Sequence, residues 1–183
     1  MLNEILTKTG TPIVWADTTD FPGGGVGGLV RTHQIDLTSL ASGAARQGAK
    51  ADLGATRARR FAVVTRLEYA VAPTAADLAS IWLGESHSGT AGTLNPGNLT
   101  GADAAYTGYS GGTLADSIKQ LRFAGAMILE NVATTTVQYQ SVGIVEDLQR
   151  YVSPVLYNEA DQALFSDAVE MLIALIPLID EVQ

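Results

Sequence analysis

An alternation of period two constrains this chain more than any other feature. Between residues 61 and 71 the odd positions carry Phe61, Val63, Leu67, Tyr69 and Val71, with Thr65 the exception, and the even positions include Arg66 and Glu68. That spacing predicts a strand with one buried face, because successive side chains of a strand point to opposite sides of its sheet. Residues 72–77 read as a turn: Pro73 fixes its own backbone angle and Asp77 favours turn geometry. A second apolar run rises through Leu78, Ile81, Trp82 and Leu83. The stretch 61–85 therefore reads as a strand, a reversal and a partner strand.

Weaker versions of the pattern recur along the chain. Ile35 and Leu37 alternate with Gln34, Asp36 and Thr38, while the Ala- and Gly-rich residues 39–56 suit either a short helix or a loose strand pair. Residues 84–112 hold eight glycines and the turn Asn95-Pro96-Gly97, which predicts a long loop, functional or packed on itself. Residues 117–129 set Leu121, Phe123, Met127 and Leu129 on one face. Residues 134–145 form a strand carried by Thr135, Val137 and Tyr139. A short strand at 152–157 contains Pro154, which places it near a sheet edge. The apolar run 168–179 suits a buried strand better than a helix, since Pro177 would break the helix. Seven or eight strands and little helix predict an all-β chain, a β-sandwich with the jelly roll as its commonest closed form.

Residues 1–31 read differently from residues 32–183, which form the sandwich domain. Ile13, Val14 and Trp15 are followed by the glycine-rich stretch 21–28, which predicts an extended arm and a hinge. A free tail is normally depleted in such apolar residues, so the arm is expected to lie on its own domain or on a neighbouring subunit, and Trp15 is its candidate contact.

The chain has 183 residues, enough for one domain with a sizeable core. It lacks cysteine, which excludes disulfides, thiolate metal sites and cysteine nucleophiles. Its start resembles no secretory signal and its longest apolar run is about half of a membrane span, so a soluble protein used without export is expected. The net charge of −8 argues against nucleic-acid binding. That charge is divided: six of the eleven basic residues, Arg57, Arg59 and Arg60 among them, fall between 46 and 66, whereas eight acids and only Arg150 follow residue 145. Such a division suits contacts between copies or with an acidic neighbour, and equally a solvated surface.

No residue set assembles a recognisable chemistry. Glu85, Ser86, His87 and Ser88 are contiguous, and loop neighbours point in different directions, so no catalytic residue is assigned. No phosphate-binding glycine motif, metal-ligand spacing or cofactor site is present. Tyr69, Trp82, Tyr106 and Tyr109 could form a sugar-stacking surface, but the reading preferred is Tyr69 and Trp82 as core with Tyr106 and Tyr109 as interface contacts.

Four segments taken together, Arg66 to Thr74, Ile81 to Ser86, Asp103 to Gly111 and Asp167 to Leu172, resemble a group of small structural proteins of tailed bacteriophages. That resemblance implies a non-enzymatic virion component assembled in the bacterial cytoplasm. Its implied role is capsid decoration, with the major capsid protein and copies of itself as partners, no nucleic acid and no membrane. A carbohydrate- or receptor-binding module of a tail or fibre is the alternative.

Overall fold

The computed structural model describes residues 5–18, 28–132, 136–167 and 171–182, and there the apolar alternation builds two sheets packed face to face. The strands are β1 (Ile5–Thr9), β2 (Ile13–Ala16), β3 (His33–Gln34), β4 (Ala45–Gln47), β5 (Ala51–Asp52), β6 (Arg60–Leu67), β7 (Leu78–Ser86), β8 (Ala104–Tyr106), β9 (Arg122–Ile128), β10 (Gln138–Glu146), β11 (Tyr151–Asn158) and β12 (Leu172–Val182). One short α-helix, α1 (Leu114–Ile118), and a one-turn 3-10 helix at Pro96–Asn98 accompany them among the described residues. The first sheet runs β10-β6-β12-β2-β3 with β1 also on β12; the second runs β8-β4-β11-β7-β9 with β5 also on β11. Every pairing is antiparallel except β2 with β3. The expected all-β sandwich is the observed fold.

Between the sheets lies the main core, where Phe61, Leu67, Ile81, Leu83, Met127 and Leu156 are fully buried. Burying a side chain of this size contributes roughly 1.5–3 kcal/mol. The odd positions of β6 enter this core as the alternation requires, whereas Val64 packs with Val14, Leu172 and Ala174 in a separate cluster.

β6 and β7 are not hairpin partners. They lie in opposite sheets, β6 between β10 and β12 and β7 between β11 and β9. The link at 68–77 is far longer than the two to five residues of a tight hairpin and turns the corner from one sheet to the other. Tyr69 anchors that corner by bridging to Leu164 and donating its hydroxyl to Asn158 Oδ1 (3.1 Å).

Pro154 also departs from expectation, since β11 is a central strand. The carbonyl of Pro154 accepts from Gly48 N (2.8 Å), and a residue's nitrogen and carbonyl face the same side of an extended strand. The missing N–H thus faces the gap between β4 and β5, where the neighbouring strand is interrupted and no ladder bond is lost. Pro177 repeats the device in β12: its carbonyl accepts from Gly10 N (2.8 Å), in the gap between β1 and β2. The expected strand at the end of the chain is present as β12.

β9 is displaced by a bulge between its pairs with Ile81 and Trp82. The inward alternation changes parity there, so Ala124 and Met127 are buried while Phe123, expected on the buried face, is 53 % exposed. Ile35 and Leu37 are buried, but only His33–Gln34 of that segment is strand.

β1 and β2 precede residue 31 and are nonetheless strands of the first sheet. Trp15 therefore does not reach a neighbouring chain: it is fully buried in this chain's own core. β2 pairs with Ile173 to Leu175 along an edge of β12 that would otherwise stay open, which explains the difference. Of the expected hinge at 21–28, residues 21–27 lie outside the described residues.

Candidate functional site

The segment 87–121 leaves β7 and folds back over the outer face of the second sheet. Leu99, Tyr106, Ile118 and Leu121 pack there with Ala45 and Val155 as a small second core. The long loop is thus anchored on its own domain, with polar contacts added to the apolar ones.

Lys50 supplies the densest of those contacts. Its Nζ has four acceptors within hydrogen-bond distance of its three N–H groups: Ser86 Oγ (3.2 Å), Ser88 O (3.0 Å), Thr90 O (2.9 Å) and Thr93 O (3.1 Å). Four oxygens from one short stretch converge on a single ammonium, which takes the place a bound cation would hold. Burial lowers the Lys50 pKa from its ordinary value. Farther along, Asn95 Nδ2 donates to Ala91 O (2.6 Å) and Leu99 O (2.8 Å), and Asn98 Nδ2 donates to Gly108 O (2.9 Å). The role of Lys50 was not legible in the sequence, where it counted only as one of a group of cations.

Tyr106 and Tyr109, expected as paired contacts, separate. Tyr106 is buried, its hydroxyl donates to Gly97 O (2.7 Å), and burial above all, with Tyr109 nearby, pushes its pKa up to about 12. It is a structural residue because its ring fills the core beneath the loop. Tyr109 remains 45 % exposed, with its backbone amide held by Ser117 Oγ (3.0 Å). Tyr69 is buried and Trp82 partly so, against Phe123 with ring centroids 5.0 Å apart. The four aromatics therefore share no exposed sugar-stacking surface.

Each expected arginine has a partner inside the chain. Arg57 Nε donates to Leu148 O (2.8 Å), Arg59 pairs with Asp147 (3.1 Å) and Arg60 pairs with Asp180. Arg60 reaches Asp180 within one chain because β6 and β12 are neighbours and Arg60 lies opposite Leu178, so this cation and this late acid meet without a second copy.

Glu85, Ser86 and His87 diverge. Glu85 pairs with Arg122 (3.2 Å) and accepts from Gln149 N (2.7 Å). Ser86 is buried against Lys50, and His87 is exposed. Asn158, also missed by sequence reasoning, is the most connected buried polar side chain near the fold's corner. Its Nδ2 shares two N–H groups among Gln162 O (2.8 Å), Leu40 O (3.1 Å) and Ala41 O (3.2 Å). An asparagine closing an apolar strand was the one available signal, since a buried amide must find partners.

What this surface offers is shape and not assembled chemistry: a fixed loop platform carrying Tyr109 and the 68 % exposed Leu94. Comparison of the chain with protein-family models, curated proteins and solved structures finds no match.

Proposed function

We propose that this chain is a non-enzymatic structural protein of a tailed bacteriophage particle, a decoration protein that binds the capsid lattice and stabilises it. The resemblance at residues 66–74, 81–86, 103–111 and 167–172 supports this reading. The wiring supports it as well. With β1 and β2 counted as one interrupted strand, β4 and β5 as another, and the short edge strands β3 and β8 set aside, the sheets read β10, β6, β12, β1/β2 and β4/β5, β11, β7, β9. We read that order as a jelly roll, an architecture used for viral capsid and lectin domains.

The observation that carries the proposal is the loop platform fixed by Lys50. A surface ordered before binding loses little conformational entropy on docking. A protein that binds an assembled lattice, and not its separated subunits, stabilises the lattice by mass action. Tyr109 and Leu94 are the contacts assigned to the capsid side. The test is the copy number of the chain in purified particles, measured by quantitative mass spectrometry against the major capsid protein. A fixed stoichiometric ratio is expected, and Tyr109→Ala is expected to lower occupancy. Absence from particles, or a trace amount unrelated to capsid copies, would overturn the proposal.

A further inference from the structure

The two sheets meet along one side of the sandwich, where β9 ends the second sheet and β10 the first. Their contacts run in antiparallel order. Arg122 Nη1 donates to Glu146 O (2.5 Å), a Cβ on Gly143 would lie 2.5 Å from Ala124 O, and a Cβ on Gly125 would lie 2.3 Å from Val142 O. Farther on, Ile128 N donates to Gln140 Oε1 (3.0 Å) and Glu130 N to Gln138 Oε1 (2.9 Å). That order sets Phe123 beside Ile144 and Ile128 beside Tyr139. Ile128 and Tyr139 also line one groove of about 260 Å³. All four are more than half exposed: Phe123 53 %, and Ile128, Tyr139 and Ile144 59 % each. Among the described residues, Val71 and Leu94 are the other large hydrophobics exposed to that degree, and both lie elsewhere in the chain.

We infer that this seam is the face through which two copies of the chain associate about a twofold axis. An apolar patch is its own complement, which is what a twofold contact requires of a surface. Strand addition is blocked, because Gln140 and Gln138 already hold the amides of Ile128 and Glu130, and Arg122 holds the carbonyl of Glu146. A partner must therefore lay side chains on side chains. Four side chains of this size and exposure present on the order of 100 Å² each. They form the apolar centre of a contact, and exposed Arg122, Glu130, Ser141 and Glu146 beside them supply its polar rim. Charge points the same way for salt dependence. Each copy carries −8, so screening the repulsion and strengthening apolar burial act together.

The inference extends the assembly reading by naming the face that copies use, and its test needs no particle, so the two can fail separately. Sedimentation velocity of the purified chain over a wide concentration range, at low and high NaCl, is expected to show a dimer that tightens as salt rises. Ile144→Glu and, on the other strand, Ile128→Glu should each weaken it by about tenfold or more, with circular dichroism confirming an intact fold. Leu6→Glu, on β1 at the other side of the first sheet from β10, should leave it unchanged. A monomer at all concentrations, a trimer, or a dimer that withstands both seam substitutions would overturn the inference.

Discussion

Lys50 brings one ammonium to four oxygens, and its removal leaves them facing one another across a partly buried space. Lys50→Met keeps the stem's length and deletes the charge, so it should cost about 1–3 kcal/mol in urea unfolding. Amide exchange should quicken at residues 86–93, and unchanged exchange there would show that the loop holds itself. Gly125 is constrained from both directions: its φ is +148°, and a Cβ would meet Val142 O. Gly125→Ala should therefore destabilise by about 2–4 kcal/mol, read from the same unfolding curves. His33 rests near the ring of Trp15 (5.6 Å between centroids) and beside Thr32 Oγ1 (2.9 Å), and burial lowers its pKa. The unfolded state then binds the proton more readily. The contribution of His33 is complete above the ordinary histidine value and is lost as pH falls through that value towards the folded one. Melting temperature followed from neutral to mildly acidic pH should fall less in His33→Gln than in the parent chain. Equal slopes would place the acid sensitivity elsewhere.

At the scale of elements, the paired devices at Pro154 and Pro177 show how much of the fold was legible. Alternation located most of the long strands, β6 and β7 included, because a buried face leaves its period in the sequence. It could not say which strand lies beside which. A period of two is the same for a hairpin and for a turn from one sheet to the other, so β6 and β7 were paired wrongly. The proline rule failed at β11 for a comparable reason: the interruption that accommodates Pro154 is in another segment, at Gly48. There a Cβ would lie 2.9 Å from Trp15 Cδ1 and 3.0 Å from Pro154 Cγ. Of the candidate site, the loop's extent was legible and its anchoring was not, since Lys50 and Tyr106 act through contacts distant in sequence. Trp15 gives the element scale its test. As a core residue whose indole N–H donates to Ala49 O (2.7 Å), its replacement by Ala should cost about 3–5 kcal/mol in the isolated chain. A change near zero would return it to the interface role that the sequence suggested.

For the whole molecule, charge division has an internal explanation. Arg46 with Asp103, Arg59 with Asp147, Arg60 with Asp180 and Arg150 with Asp52 join cations and acids far apart in sequence. Arg46 with Asp103 is largely buried, whereas the other three pairs are exposed and screened by solvent, so those three shape the surface more than they stabilise it. Changing Arg57, Arg59 and Arg60 together to Gln removes three positive charges and takes the net charge from −8 to −11, so self-association should weaken at low NaCl and tighten more steeply than in the parent as salt rises. A lost or reversed dependence would return the arginines to the interface. What remains for contact is preformed: the loop platform over one sheet and the seam between β9 and β10. Both surfaces require that the isolated chain already hold that form, with residues near its start built into the first sheet and the loop fixed before any partner arrives. Hydrogen exchange on the purified chain, read by mass spectrometry at peptide resolution, tests this directly. Peptides covering Ile13–Ala16 and the loop at 86–99 should exchange far more slowly than an unstructured chain, with the β2 peptide as slow as those of β12. Exchange of the β2 peptide at the rate of a free chain, slowing only in the assembled particle, would contradict the account.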